Sequence, residues 1–168
     1  MFGFFNRGIY LNNIIWYKLI ISILGCQAAG LIGGIFTVKS VKSWYLTINK
    51  PSFNPPSWIF GPVWTLLYIL MGISVYVIWK KSDVQNVNLA IALFVIQLAL
   101  NAFWSILFFG LKNPQLAFFE IIAMWVFILA CIIVFFPISQ TASYLLIPYL
   151  LWVSFAAFLN YSIWKLNS

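Results

Sequence analysis

Few side chains of this sequence can do acid–base or metal chemistry, and histidine is absent. Because histidine is the commonest general base and metal ligand near neutral pH, its absence excludes His-based triads, His-type zinc proteases and His-ligated haem. The two acids, Asp83 and Glu120, are separated by a long apolar stretch, and Cys26 and Cys131 lie inside apolar segments. Such cysteines usually act as small hydrophobic residues, so we expect no metal site and no disulfide.

Polar side chains recur on one helical face between residues 97 and 105. Gln97, Asn101 and Ser105 are spaced by four, and Trp104 shares their face. Polar groups in hydrocarbon are costly and turn inward, toward a partner or a cavity. They therefore either hydrogen-bond between helices or form the polar wall of a ligand pocket, and we favour the pocket.

A second stripe follows near the end of the chain. Tyr149, Trp152, Ala156 and Asn160 are spaced by three and four. An aromatic stripe is more often protein core than a binding site. Here the small Ala156 would leave space beside the Trp152 ring, which is what a flat aromatic ligand needs.

Glu120 is the acid most deeply placed in an apolar segment. An ionised carboxylate costs about 2.5–3.5 kcal/mol at the centre of a bilayer and less near its interface. Glu120 could couple proton movement to transport, but we favour a carboxyl group that is paired or protonated.

Gly30 and Gly34 form a GxxxG spacing in the first apolar segment. Small residues on one face allow helices to approach closely in lipid. A homodimer seam and close packing within one bundle both remain open.

The composition indicates that these residues are positioned by helices in a membrane. The 168 residues are 64% hydrophobic and 7% charged, whereas a soluble domain has about 25% charged residues. We predict an all-α fold with one domain, residues 1–168, built as an integral membrane bundle of five transmembrane helices. The predicted spans are about 14–38, 58–79, 88–110, 115–136 and 141–164, and the first is retained rather than cleaved as a signal peptide.

The net charge of +7 comes from cations that lie mainly in connections and tails. This pattern is typical of a membrane protein that meets anionic lipid headgroups, so we expect no nucleic-acid partner. Four cations lie on the N-terminal side of the bundle and five on the other, and we lean toward a cytoplasmic C-terminus. Aromatic anchors are expected at the span ends Trp16, Trp58, Trp79 and Trp164.

The first connection, residues 39–57, is longer than the others and contains Trp44, Tyr45, Phe53 and three prolines. Proline fixes φ and biases the preceding residue away from helix. We therefore expect a stiff aromatic loop that acts as a lid.

Three ordered blocks, from Trp44 to Gly72, from Gln97 to Gly110 and from Pro148 to Trp164, resemble the TspO/MBR family of tryptophan-rich sensory proteins. The resemblance implies a five-helix membrane bundle, often a homodimer, whose pocket is capped by the first loop. It also implies porphyrin ligands such as protoporphyrin IX, cholesterol in the animal branch, and synthetic isoquinolines and benzodiazepines. Carried over by position, the ligand-binding residues would be Trp44, Tyr45, Trp64, Tyr68, Asn101, Trp104, Trp152, Ala156 and Leu159.

The family's sterol motif would fall on Leu159, Tyr161 and Lys165, although the same pattern also matches two other places in this chain. Phe53 stands where many members have tryptophan, which keeps an aromatic lid but removes an indole N–H. The polar C-terminal tail of the animal proteins has no counterpart, which favours the bacterial inner membrane over the mitochondrial outer membrane. No family role is assigned to residues 1–13.

Three functions follow from the resemblance. The first is a receptor or sensor that binds a tetrapyrrole without requiring a cofactor, and the second is a transporter of porphyrin or sterol. The third is light- and oxygen-dependent porphyrin degradation, in which Trp64 and Trp152 would be the reactive residues; we favour the receptor. With no histidine to ligate iron, metal-free porphyrin is expected to bind at least as well as haem.

Overall fold

The structure, a computed structural model, describes residues 15–168. Within that range, five helical segments are long and apolar enough to cross a membrane, as the sequence predicted. Helix α1 spans Trp16–Val41, α3 Ser57–Trp79, α4 Val87–Ser105, α5 Pro114–Ile138 and α7 Ile147–Leu166; α2, Trp44–Thr47, and α6, Gln140–Leu145, are short. Residues 1–13, to which no family role was assigned, lie outside the described range. The described residues form the predicted all-α bundle.

Local sequence signals set the ends of these helices. Asn113 caps α5, because its side-chain oxygen accepts a hydrogen bond from the Leu116 N–H at 3.0 Å, and Pro114 takes the first helical position, where no N–H is needed. At the other end of α5, the Lys81 ammonium donates to the Ile138 carbonyl oxygen at 2.6 Å. A cation there stabilises the free carbonyl groups of the helix end.

The helices pack as a compact bundle around one main core. Helix α1 lies against α3 and α4, α4 against α5, and α5 against α7. Gly72 permits a close approach of α1 to α3, since a Cβ at Gly72 would lie 2.7 Å from the Ile23 Cα. Met71, Ile128, Phe135, Tyr149 and Val153 are fully buried in the core.

The third span does not end as a regular α-helix. Residues Ile106–Gly110 form a π-helical turn, in which the Leu111 N–H donates to the Ile106 carbonyl oxygen at 2.8 Å. The wider turn brings Phe108 and Phe109 beside Trp104, with which both rings are in contact. Turns of this kind often occur at functional sites, and no residue pattern in the sequence predicts this one.

The structure of the lid differs in its helix boundaries from the loop predicted for residues 39–57. Helix α1 continues to Val41, beyond the predicted end of the first span, and α2 occupies the next part of the connection. The extended, proline-containing part of the lid is therefore confined to residues 48–56.

Candidate functional site

A cavity of about 470 Å³ lies inside the bundle, in the half nearest the lid. Its walls come from α1, α3, α4, α5 and α7, and α2 lies at its end. Eight of the nine pocket residues expected from the family resemblance line it: Tyr45, Trp64, Tyr68, Asn101, Trp104, Trp152, Ala156 and Leu159. The ninth, Trp44, packs its ring edge-on against Phe108 at 5.7 Å instead.

Asn101 connects two helices at the inner end of the cavity. Its Oδ1 accepts a hydrogen bond from the Tyr68 hydroxyl at 2.5 Å, and its Nδ2 donates to the Tyr149 hydroxyl at 2.9 Å. The Tyr149 hydroxyl in turn contacts the Met124 sulfur at 3.5 Å. Both interpretations of this polar stripe therefore hold at Asn101, which hydrogen-bonds between helices and also lines the cavity.

A second amide fixes an aromatic wall. Trp104 Nε1 donates to Asn160 Oδ1 at 3.0 Å, and Asn160 Nδ2 donates to the Pro114 carbonyl oxygen at 2.7 Å. The Trp104 ring is also stacked on Phe108, with ring centres 5.0 Å apart. These bonds hold the indole in one orientation and join α4, α5 and α7.

Two further tryptophans form the remaining aromatic walls. Trp64 is stacked on Tyr68 with ring centres 5.5 Å apart, and Trp152 meets Phe60 edge-on at 6.0 Å. The buried Trp152 Nε1 has no hydrogen-bond partner among the described residues. Since an unpaired buried donor costs about 1–3 kcal/mol, a ligand with an acceptor near Trp152 would recover part of that cost.

Two polar side chains singled out in the sequence lie away from the cavity. Gln97 and Glu120 are buried, and their side-chain oxygen and nitrogen atoms have no partners within residues 15–168. Neither side chain lines the cavity. Glu120 therefore does not meet the cavity's contents directly, and a partner that would pair its carboxyl group is not found in the described part of the chain.

Gly30 and Gly34 both line the cavity from α1. A Cβ at Gly30 would collide with the Tyr68 ring, so the close-packing interpretation applies at this position. Homodimerisation stays a prediction.

The three residues of the sterol pattern do not face one space. Leu159 is buried and lines the cavity, whereas Tyr161 and Lys165 are exposed on the outer face of α7. The Lys165 ammonium lies 4.4 Å from the centre of the Trp164 ring, an arrangement suited to the membrane interface. A ligand inside the bundle could contact only the first of the three.

Internal polar contacts stiffen the lid. The Tyr45 hydroxyl donates to Asn54 Oδ1 at 2.8 Å, and Lys50 Nζ donates to the Tyr45 carbonyl oxygen at 2.6 Å. Burial raises the pKa of Tyr45, so its phenol remains a neutral hydrogen-bond donor. Phe53 stacks on Phe158 of α7 at 5.1 Å, which shows that phenylalanine suffices for this lid contact.

The cavity wall that α1 contributes was not predicted from the sequence. Gln27, Gly30, Gly34 and Thr37 line the cavity at spacings of three and four. The same spacing had marked the polar face of α4, so the signal was present. Phe108 and Phe109 were missed for another reason, because only the π-helical turn places them at the cavity.

Comparison with known proteins places this architecture among related chains. The model of the TspO/MBR family matches residues 22–165. The tryptophan-rich protein TspO of Archaeoglobus fulgidus is 46% identical over 90% of this chain and 97% of its own length. The tryptophan-rich sensory protein of Cereibacter sphaeroides is 32% identical over 92% and 94%, and the human translocator protein is 34% identical over 86% and 84%. The family match, the identities and the five apolar helices agree, and the chain belongs to the TspO/MBR family of multi-pass integral membrane proteins.

Proposed function

We propose that the protein is a membrane receptor that binds a flat tetrapyrrole of the protoporphyrin IX type in the cavity. The observation that carries the proposal is the set of aromatic walls around a space of about 470 Å³, with Trp64, Trp104 and Trp152 on three different helices. Indole and phenol rings bind flat apolar ligands through their faces and edges. The name of the Cereibacter sphaeroides relative, a tryptophan-rich sensory protein, supports a sensing role.

The chemistry of the walls suits the metal-free ring. The lining offers Tyr and Met side chains but no histidine, so iron would gain little from axial ligation. The acidic edge of a porphyrin would lie near Lys42, an exposed cation that follows the end of α1 and also lines the cavity.

A fluorescence titration in the dark tests the proposal. Protoporphyrin IX added to detergent-purified protein should quench tryptophan emission saturably, and Trp152→Ala should weaken binding by about tenfold, a loss of about 1.4 kcal/mol. Trp58→Ala is the matched control, because Trp58 is 74% exposed and does not line the cavity. Equal affinities of native protein and both variants, or quenching that never saturates, would refute binding in this cavity.

Light-dependent degradation of the bound porphyrin is the second candidate. It is favoured by the presence of two oxidisable indoles, Trp64 and Trp152, in the cavity wall. Illumination of the titrated complex in air should then produce a new absorbance band that Trp64→Phe removes. A spectrum unchanged by light would refute degradation and would leave receptor binding as the remaining proposed function.

We further propose the cytoplasmic membrane of a prokaryotic cell as the location. The support is the higher identity to the Archaeoglobus fulgidus relative, 46%, than to the human one, 34%. Fractionation of the source cells tests this.

A further inference from the structure

We infer that the ligand enters the cavity sideways from the lipid, through a gap between α1 and α3. The edges of this gap, here called the lateral portal, are Leu31, Gly34 and Val38 on α1 and Gly61 and Thr65 on α3. The inference rests on the proposed function, since it assumes that the cavity takes a ligand. It also specifies the class of ligand that can reach the cavity, namely a molecule dissolved in the bilayer.

The two helices diverge toward the lid. At the far end of the bundle they are joined, because the Ile15 N–H donates to the Tyr76 hydroxyl at 3.1 Å and Lys18 Nζ donates to the Trp79 carbonyl oxygen at 3.3 Å. In the middle, Gly72 lies against the Ile23 backbone.

Beyond that crossing Gly30 still packs against the Tyr68 ring, but nearer the lid the glycines of both helices have open space beside them. A Cβ added at Gly34 or at Gly61 would meet no described atom within 4 Å. At the inner margin of the gap, one hydrogen bond spans the helices, from Gln27 Nε2 to the Thr65 carbonyl oxygen at 3.3 Å.

The edge residues belong to the cavity and to the outer surface at once. Leu31 is 72% exposed and Val38 is 61% exposed, yet both line the cavity. Both lie within the apolar helix α1, whose outer face meets hydrocarbon when the helix spans a bilayer. The cavity is therefore continuous with lipid at this gap.

The alternative route, under the lid, is closed by specific contacts. The Asn49 N–H donates to Asn167 Oδ1 at 2.9 Å, and Asn167 Nδ2 donates to the Asn49 carbonyl oxygen at 2.9 Å. Entry by displacement of the lid would break these bonds and the Phe53–Phe158 stack. Entry through the lateral portal breaks none of them.

The test measures how fast porphyrin passes from vesicles into the protein in proteoliposomes. Gly34→Leu and Gly61→Leu would fill the gap, and each should slow association by about tenfold. Dissociation should slow too, because the same passage is narrowed in both directions. A lost binding contact would instead accelerate dissociation.

Two controls make the test specific. Gly25→Leu adds the same side chain to α1 at a position that has open space and does not line the cavity, and its rates should equal those of the native protein. A disulfide between Asn49→Cys and Asn167→Cys, made with Cys26 and Cys131 replaced by alanine, should lock the lid and also leave the rates unchanged.

Three results would overturn the lateral portal: entry stopped by the locked lid, native rates in both portal variants, or a portal variant that changes only the oligomeric state. These results are distinct from failure of the proposed function. If the proposed function is wrong, native protein will show no saturable porphyrin binding in detergent, where entry from a bilayer is not needed.

Discussion

Asn49 in the lid and Asn167 beyond the end of α7 exchange a pair of hydrogen bonds, both 2.9 Å long, although 118 positions separate them in the chain. The Asn167 side chain also donates to the Ile163 carbonyl oxygen at 2.7 Å, which holds it against α7. One amide thus joins the lid to the last helix of the bundle.

Replacing Asn167 by alanine should loosen the lid without unfolding the bundle. The change removes hydrogen bonds that contribute about 0.5–1.5 kcal/mol each. Hydrogen–deuterium exchange should accelerate across residues 44–54 and stay unchanged in α4 and α5. Ser168→Ala is the control, because Ser168 is exposed and its hydroxyl, within residues 15–168, bonds only to the carbonyl oxygen of Lys165 three positions earlier. Equal exchange in the two variants would contradict the role given to Asn167.

Asn101 should stabilise the bundle through its two tyrosine partners. In Asn101→Ala, the buried hydroxyls of Tyr68 and Tyr149 each lose a partner, at a cost of about 1–3 kcal/mol apiece. Thermal unfolding in detergent measures the loss. Adding Tyr149→Phe should cost less in the Asn101→Ala background than in the native protein, because one unpaired group is then removed. Additive losses would show that the two side chains are not coupled.

The sequence was informative about this fold where a pattern is repeated many times. The five apolar segments predict the five spans, because crossing hydrocarbon imposes both length and composition on each of them. The spacing of Asn101 and Trp104 likewise placed both on one inward face. The family resemblance, rather than spacing, supplied Tyr45 and Leu159 as cavity residues.

Other features arise only from the packing of whole helices. The lateral portal depends on the angle between α1 and α3, which no single residue determines, and Gly34 looks the same in sequence whether it faces a cavity, a helix or lipid. The π-helical turn at Ile106–Gly110 could not be predicted, because no proline or glycine marks its start. The sterol pattern is a different case, because its spacing cannot place Leu159 on the same helix face as Tyr161 and Lys165.

Metal-free protoporphyrin IX should bind at least as tightly as haem. The cavity wall offers the iron only weak ligands such as the Met124 sulfur, which is already in contact with the Tyr149 hydroxyl. Parallel titrations give the two dissociation constants, and absorbance reports any axial ligation. Haem bound more than about tenfold tighter, with a spectrum that Met124→Leu alters, would reverse the expectation.

Glu120→Gln should leave porphyrin affinity unchanged, because the Glu120 side chain does not line the cavity. The substitution keeps the shape of the side chain and removes its ability to ionise. Titrations of the variant and the native protein at several pH values should superimpose. A clear change in affinity would show that Glu120 acts on the cavity through its neighbours and would revive a proton-coupled function.

Lys42 should select ligands that carry an anionic edge. It follows the end of α1, is exposed, and lines the cavity, so its ammonium group can meet a ligand carboxylate at the membrane surface. Because exposed charge pairs contribute about 0.2–1 kcal/mol, Lys42→Gln should weaken protoporphyrin IX binding by about two- to fivefold and reduce its dependence on salt. The dimethyl ester of the same porphyrin should bind native protein and variant alike. Lys39→Gln is the matched control, since Lys39 is an exposed cation near the same end of α1 that does not line the cavity; equal losses in both lysine variants would mean that the general surface charge, not Lys42, attracts the ligand.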